Sequence, residues 1–382
     1  MKTILPGQTI GIIGGGQLGR MMGLAAKEAG FKIAVLDPVM DSPCGQIADI
    51  RIVAPYNDEA ALEELGEVSD VITYEFENID YEGLKRLTQI AYVPQGAELV
   101  RITQNRINEK AEITASGAPV ANYVTAQTFE ELTTKIAEVG FPCIVKTAFG
   151  GYDGKGQVKI DSIGDLHEAE SLFAHSACIA EAFVPFKKEI SVIIQRNAKG
   201  QSYCLPVAEN IHIDHILHES IVPARVHENV VVQAEVAAMK IADHLNLVGT
   251  LAVELFVLEN DEIIINELAP RPHNSGHYSI EACNISQFHQ HIRAICGWPL
   301  RKPILWKPSI MVNVLGEHVA PLTKIVTDYP DWSIHLYGKA EAKVKRKMGH
   351  VTIMTDDIEK TLKDIDSTGI WSDTSFKQLR LD

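Results

Sequence analysis

The chain has 382 residues, enough for two or three domains, and its 46% hydrophobic and 22% charged residues allow buried cores and solubility together. Fifty Asp and Glu against 35 Lys and Arg give a formal charge of -15, which argues against a nucleic-acid surface, because phosphate backbones demand a basic face. No apolar run approaches the roughly 18 residues of a membrane span, and the interrupted apolar N-terminus reads as a strand entering a turn rather than a signal peptide.

Residues 1–100 alternate strand and helix patterns. Ile10–Ile13 reads as a strand, Gln17 to Ala29 as a helix capped by Gly30, and Lys32–Leu36 and Val71–Tyr74 as further strands. That alternation predicts a parallel sheet with crossover helices. Arg101 to Ser116 reads as one polar helix stopped by Gly117 and Pro119, and Phe129–Gly140 as another. The strand Pro142–Lys146 then meets a glycine-rich loop, residues 149–157, and Val158–Ile160 resumes the strand. Strand–loop–strand is a hairpin flap, not the strand–loop–helix of a Walker loop. Ile179–Val184 closes a small middle domain. Further strands fall at Glu189–Gln195 and Gly249–Val257, with a helix Val230–Leu245 between them, and a basic run spans Lys343 to Lys347. The predicted domains are 1–103, 104–184 and 185–382. The six cysteines are irregularly spaced without a C-x-x-C pair, so reduced, buried thiols in a cytoplasmic protein are expected.

Gly14, Gly16 and Gly19, with Asp37 ending the next strand, match the dinucleotide fingerprint on paper. The physical content of that spacing is only that backbone can approach an anion at a helix N-terminus. Nicotinamide binding, a phosphorylated substrate and simple close packing all satisfy it.

A sharper signal lies between 249 and 268. Leu251–Val257 and Glu262–Leu268 read as two apolar strands joined at Asn260-Asp261, which suits a two-residue turn. If Glu259 pairs with Glu262, Glu254 faces Glu267. Like charges opposite each other destabilise a sheet, by roughly 3 kcal/mol at about 5 Å and an effective dielectric near 20. A hard divalent cation shared with nucleotide phosphates offsets this, since Mg²⁺ takes one or two carboxylates plus phosphate oxygens. Asn266 is placed to complete the set. The competing reading is a protonated Glu, or a structural pair with Arg271.

Lys146, at a strand end before the glycine loop, suits contact with phosphates, with Lys155 and the loop amides covering them. Taken alone, Lys146 is more often a solvated strand-end charge; the glycines and Lys155 that follow make it a phosphate candidate. Backbone along Glu181-Ala182-Phe183-Val184 suits an adenine edge, and Glu189 suits ribose hydroxyls; solvated acids are the plainer reading of both glutamates.

Together these segments resemble the ATP-grasp superfamily over essentially the whole chain, and within it the 5-(carboxyamino)imidazole ribonucleotide synthetase family of purine biosynthesis. The resemblance is carried by residues 14–19, Tyr74-Glu-Phe-Glu-Asn78, residues 150–157, residues 266–277 and Lys345-Arg-Lys-Met-Gly-His350. It implies a three-domain α/β and α+β fold with an N-terminal Rossmann-like parallel-sheet domain. It implies ATP surrounded by Arg106, Lys146, Gly151, Tyr152, Asp153, Gly154, Lys155, Gly156, Gln157, Glu181, Ala182, Phe183, Val184, Glu189, His212, Asn266 and Glu267, with Mg²⁺ on Glu254 and Glu267. The ribonucleotide is expected nearer the first domain, at Gln17, Leu18, Glu75, Asn274, Lys345 and Arg346. Tyr152, Asp153, Arg271 and His273 are the candidates for the chemistry. Asp153 is placed to orient or deprotonate the amine; His273 binds bicarbonate or is a plain core polar residue.

The implied reaction spends ATP on bicarbonate to make carboxyphosphate, whose carboxyl, directly or as CO₂, is captured by the exocyclic amine of 5-aminoimidazole ribonucleotide. Phosphoryl transfer needs mainly positioning and charge neutralisation, and a glycine-rich flap suits the closure that protects carboxyphosphate from water. The family implies a cytoplasmic homodimer with no nucleic-acid or membrane partner. The rivals are another ATP-grasp enzyme, such as a biotin carboxylase or a formate-dependent formyltransferase, a nicotinamide-dependent dehydrogenase using Gly14, Gly16, Gly19 and Asp37, and a nonenzymatic nucleotide sensor.

Overall fold

In a computed structural model, which describes residues 2–150, 156–174 and 176–371, three sheets follow one another along the chain. The first holds β1 (Thr9–Ile13), β2 (Lys32–Leu36), β3 (Ile50–Ile52) and β4 (Val71–Tyr74) in the order β3-β2-β1-β4, all parallel. Side chains alternate across it. Ile10 and Ile12 pack with Met21, Met22 and Ala25 on one face, while Ile13 and Leu36 pack with Leu62, Leu65 and Leu84 on the other. Burial of both faces is what all-parallel strands require.

The second sheet is antiparallel, with β5 (Tyr123–Ala126), β6 (Cys143–Thr147), β7 (Gln157–Ile160) and β8 (Cys178–Ala182) in the order β5-β8-β6-β7. The expected flap hairpin is β6–β7, with Lys146 opposite Gln157.

The third sheet has nine strands. They are β9 (Phe186–Arg196), β10 (Ser202–Cys204), β11 (Ala208–Ile213), β12 (Ile216–Val222), β13 (Gly249–Leu258), β14 (Ile263–Ala269), β15 (Ser309–Leu315), β16 (Trp332–Leu336) and β17 (Lys347–Met354). The order is β14-β13-β9-β11-β12-β15-β17-β16, with β10 beside β9. The helix Glu228–His244 closes its main core through Val230, Ala234, Ala238 and Ile241.

The first sheet is docked on the third by the helix Gln287–Ile295. Its Phe288 and Ile292 join the core of helix Gln17–Glu28. His291 bridges Thr73 of β4 at 2.8 Å and Thr250 of β13 at 3.2 Å, and burial pushes it down to about 3, so it serves as a neutral linker. The mouths of the two sheets are thereby held over one cleft.

Two expected helices differ. Arg101 to Ser116 is broken into Glu98–Thr103 and Arg106–Ala115, because Asn105 caps the second helix, its side chain accepting from the Ile107 and Asn108 N–H groups. Phe129–Gly140 is α-helical only over Phe129–Lys135, then tightens to a 3₁₀ turn, Ile136–Glu138, before Gly140 at φ 80°.

Candidate active site

The hairpin β13–β14 carries the paired carboxylates. Glu254 and Glu267 do stand opposite each other, but not for the reason expected. The loop is closed by Leu258 and Glu262, with the Leu258 N–H bonded to the Glu262 carbonyl at 2.9 Å and Asp261 at φ 64°, so it holds three residues rather than two. Val257, Phe256 and Leu255 then pair with Ile263, Ile264 and Ile265. Asn266 is an extra residue on β14, and beyond this bulge Glu254 meets Glu267.

The two carboxyls sit in different surroundings. Burial works to raise Glu254, but the hydrogen bond from His273, whose Nε2 lies 3.1 Å from Glu254 Oε1, carries it down to about 2, with His212 and Lys347 pulling the same way. Crowding in the cleft and the Glu254 charge push Glu267 up, with Arg106, 3.7 Å away, pulling against them. Two carboxyls driven apart in this way share a deficit of positive charge.

Beside them lies a buried ionic triad. Glu181 accepts Lys146 at 3.3 Å on one oxygen and Lys110 at 3.2 Å on the other. Burial pulls Lys146 down in spite of Glu181. The Ala182 and Phe183 N–H groups are taken by the Asn122 and Pro142 carbonyls. Val184 lies just past them, half-buried. Glu189 and His212 pair at 3.2 Å; burial opposes the imidazole's charge, but Glu189 and Glu254 raise it overall. The flap residue Gly156, at φ 70°, gives its carbonyl to the Thr147 N–H at 2.9 Å. Gly151, Tyr152, Asp153, Gly154 and Lys155 lie outside the described residues.

The glycine loop of the first sheet is not open to a phosphate. The Gly15 N–H donates to Asp37 at 2.7 Å, Gly19 N–H to Glu75 at 2.7 Å, and Gly16 N–H to the other Glu75 oxygen. Tyr56 holds the same Asp37 oxygen at 2.6 Å. The anion site that the spacing advertises is occupied by the chain's own carboxylates. Its effect is to fix Glu75 at the edge of a cavity of about 290 Å³ lined by Gln17, Leu18, Glu75, Phe76, Arg271, His273, Asn274, His277 and Lys347. Six sequence-predicted residues meet there. Asn274 is buried with both amide atoms unpartnered, which marks a polar demand facing the cavity.

Arg271 pairs with Glu77, Nε to Oε2 at 2.7 Å and Nη2 to Oε1 at 3.3 Å, not with Glu254 or Glu267. His273 is pushed down by burial. Its Nδ1 lies 2.9 Å from the Ser275 hydroxyl and 3.4 Å from the Ser275 N–H, which assigns the proton to Nε2, facing Glu254. The neutral ring thus has both nitrogens engaged, so it orients Glu254 rather than offering a base to the cavity.

The protein-family comparisons match all three regions of the chain. The ribonucleotide synthetase pre-ATP-grasp domain matches residues 7–104, the ATP-grasp domain residues 111–288, and the phosphoribosylaminoimidazole carboxylase C-terminal domain residues 309–364. The N5-carboxyaminoimidazole ribonucleotide synthase of Bacillus subtilis strain 168 is 51% identical over 95% of this chain and 96% of its own. The chain belongs to the N5-carboxyaminoimidazole ribonucleotide synthase family. Two solved synthetases agree. An ADP complex has a TM-score of 0.94 at 57% identity, covering 97% of this chain and 98% of that one. The Aspergillus clavatus synthase with ADP and 5-aminoimidazole ribonucleotide has a TM-score of 0.87 at 32% identity, covering 94% and 97%. Membership makes the chain an ADP-forming ATP-grasp ligase, as the motifs implied, and retires the dehydrogenase reading of the glycine loop.

Within this synthase-family site, one predicted pair is placed differently. Lys345 adopts φ 62° in a turn and pairs with Asp214 at 2.8 Å beside a separate cavity, while Arg346 gives Nη1 to the Glu341 carbonyl at 3.0 Å. Lys347, the first residue of β17, lines the cavity at Glu75 instead. Lys339 donates to the Lys347 carbonyl at 2.7 Å; burial and Arg346 push it down to about 8 against the opposing pull of Glu75. The sequence reading also missed Glu109 and Lys110. The available signal was spacing: Lys110 lies four residues after Arg106, on the same helical face.

Proposed function

We propose that the chain divides the family reaction, ATP-dependent carboxylation of 5-aminoimidazole ribonucleotide to N5-carboxyaminoimidazole ribonucleotide, between two sides of Glu254. The observation that carries this is the Glu254–His273 contact at 3.1 Å. One end of it faces Glu267 and the Lys146 triad; the other borders the 290 Å³ cavity.

On the nucleotide side, Lys146 and Arg106 neutralise phosphate charge, Val184 meets the adenine edge, and Glu189 with His212 takes the ribose. Among the described residues no three His, Cys, Asp or Glu form a metal cage. Mg²⁺ does not need one, since it completes its shell from phosphates and water, and Glu254, Glu267 and the Asn266 position offer it hard oxygen donors. Bound there, it would supply charge neutralisation at the phosphates being transferred.

On the acceptor side, Glu75 is rigidly held as a hydrogen-bond acceptor for the ribonucleotide, with Gln17, Leu18 and Asn274 around it. Lys347, which lines the cavity, and Lys339, bonded to its carbonyl, supply positive charge for the 5′-phosphate. Bicarbonate oxygen attacks the γ-phosphorus, ADP leaves, and carboxyphosphate remains near Arg271. The exocyclic amine then attacks the carboxyl carbon, phosphate departs, and the amine gives up a proton. The proposal also includes a homodimer in the cytoplasm.

The test is ADP release by purified protein with Mg-ATP and bicarbonate, with and without 5-aminoimidazole ribonucleotide. Release that requires the ribonucleotide supports the reading. Release indifferent to it returns the acceptor to question, and no release under either condition rejects the ligase assignment.

A further inference from the structure

Glu109 and Lys110 are neighbours on the helix Arg106–Ala115, exposed by only 4% and 2%. Glu109 Oε1 accepts the Leu268 N–H at 2.7 Å, and Lys110 Nζ donates to the Asn266 carbonyl at 3.1 Å. These two backbone groups flank Glu267. Asn266 is the residue squeezed out of the β13–β14 ladder, and a bulge bends the strand and re-aims the side chain beside it.

Nothing about holding a strand calls for ionisable side chains here. One residue before the bulge, β14 is secured by an ordinary backbone bond, Ile265 N–H to the Pro119 carbonyl at 2.8 Å. Burying ionisable side chains carries a cost that apolar packing avoids, whether they stay charged or shift their protonation. A buried acid and a buried lysine placed on the two sides of one carboxylate therefore point to control of that carboxylate's position.

We propose that Glu109 and Lys110 are positioning residues that clamp the bulge at Asn266 from both sides and so aim Glu267 at Glu254. The same helix acts on the tip as well as the base, because Arg106 approaches Glu267 Oε2 at 3.7 Å. Lys110 also shares Glu181 with Lys146, so the clamp ties the carboxylate pair to the nucleotide lysine. This inference rests on Glu254 and Glu267 holding the divalent cation.

The test is binding of Mn²⁺ in the presence of ADP, read from the electron paramagnetic resonance signal of free Mn²⁺, on full-length wild type and on Glu109→Leu, Glu109→Gln, Lys110→Met and Glu267→Gln, each with its thermal midpoint. Glu109→Leu and Lys110→Met are expected to weaken Mn²⁺ binding about 10-fold or more, the scale set by partners of metal ligands. Glu109→Gln keeps an oxygen for the Leu268 N–H and should bind as wild type does. A lowered thermal midpoint with unchanged Mn²⁺ affinity in both Glu109→Leu and Lys110→Met overturns the clamp and leaves the metal reading intact. If Glu267→Gln binds Mn²⁺ as wild type does, the metal reading itself fails, and the clamp with it. Should Glu109→Leu not fold, Lys110→Met decides.

Discussion

Glu254 and Glu267 oppose each other across β13 and β14 because Asn266 is displaced from the ladder between them and the hairpin loop. Two carboxyls brought together by a bulge work against the sheet that holds them. Glu267→Gln should therefore leave the metal-free protein as stable as wild type or slightly more so, by at most about 1 kcal/mol because its side chain is 46% exposed. Ribonucleotide-dependent ADP release should fall about 100-fold or more, the scale of losing one preorganised charge partner. Chemical denaturation and steady-state rates on the same preparation check both halves. A variant that is destabilised by several kcal/mol would mean that the pair is structural.

The glycine loop makes the opposite kind of prediction, since its amides depend on Glu75. Glu75→Leu strips acceptors from the Gly16 and Gly19 N–H groups. The expected loss is roughly 2 kcal/mol, less than two full desolvation penalties because water reaches part of the loop. Glu75→Gln keeps one acceptor and should lose about half as much. In both variants the KM for the ribonucleotide should rise while that for ATP stays near wild type. A rise confined to ATP would remove Glu75 from the acceptor side.

The first sheet was legible because it rests on local pattern, short continuous apolar runs in β1, β2 and β4. The facing glutamates were reached from a two-residue turn that the structure replaces by a three-residue loop, with the bulge at Asn266 restoring the pairing. The family followed from long contiguous motifs. What the sequence hid depends on contacts made far along the chain. Asp37 and Glu75 reach Gly15, Gly16 and Gly19 from 22 to 59 positions away, so the loop looked vacant. The bulge at Asn266 is held by Glu109 and Lys110 from more than 150 positions away, and no strand periodicity reveals it. Lys345 and Lys347 share a parity that favours either one, until φ 62° takes Lys345 out of the strand.

Glu181 is the counter-charge of two lysines that are 2% and 12% exposed. Burial alone would raise its carboxyl, but Lys110 and Lys146 hold it below the usual carboxylate range. Glu181→Gln leaves both ammonium groups without their partner, a loss on the order of 3 kcal/mol. Saturating Mg-ATP should then raise the variant's thermal midpoint more than it raises the wild type's, because the phosphates restore the missing negative charge next to Lys146. An equal or smaller nucleotide-induced shift would place the triad away from the phosphates.

Glu109 supplies a stability signal that depends on pH. Burial and the charge of Glu267 raise its carboxyl from 4.5 to about 8, with Lys110 and the Leu268 N–H opposing them. A carboxyl raised on folding holds its proton in the native state while the unfolded chain releases it, so stability falls as pH rises from 4.5 to about 8 and is flat beyond. For one proton the slope is at most about 1.4 kcal/mol per pH unit. Glu109→Gln cannot ionise and keeps an oxygen for the Leu268 N–H. It should remove that slope and make the metal-free protein more stable than wild type at pH 8 and above, with little difference near pH 4.5. Denaturant midpoints across this range read the difference directly. Parallel curves for the two proteins would show that Glu109 is ionised throughout, held by Lys110 as an ordinary buried ion pair.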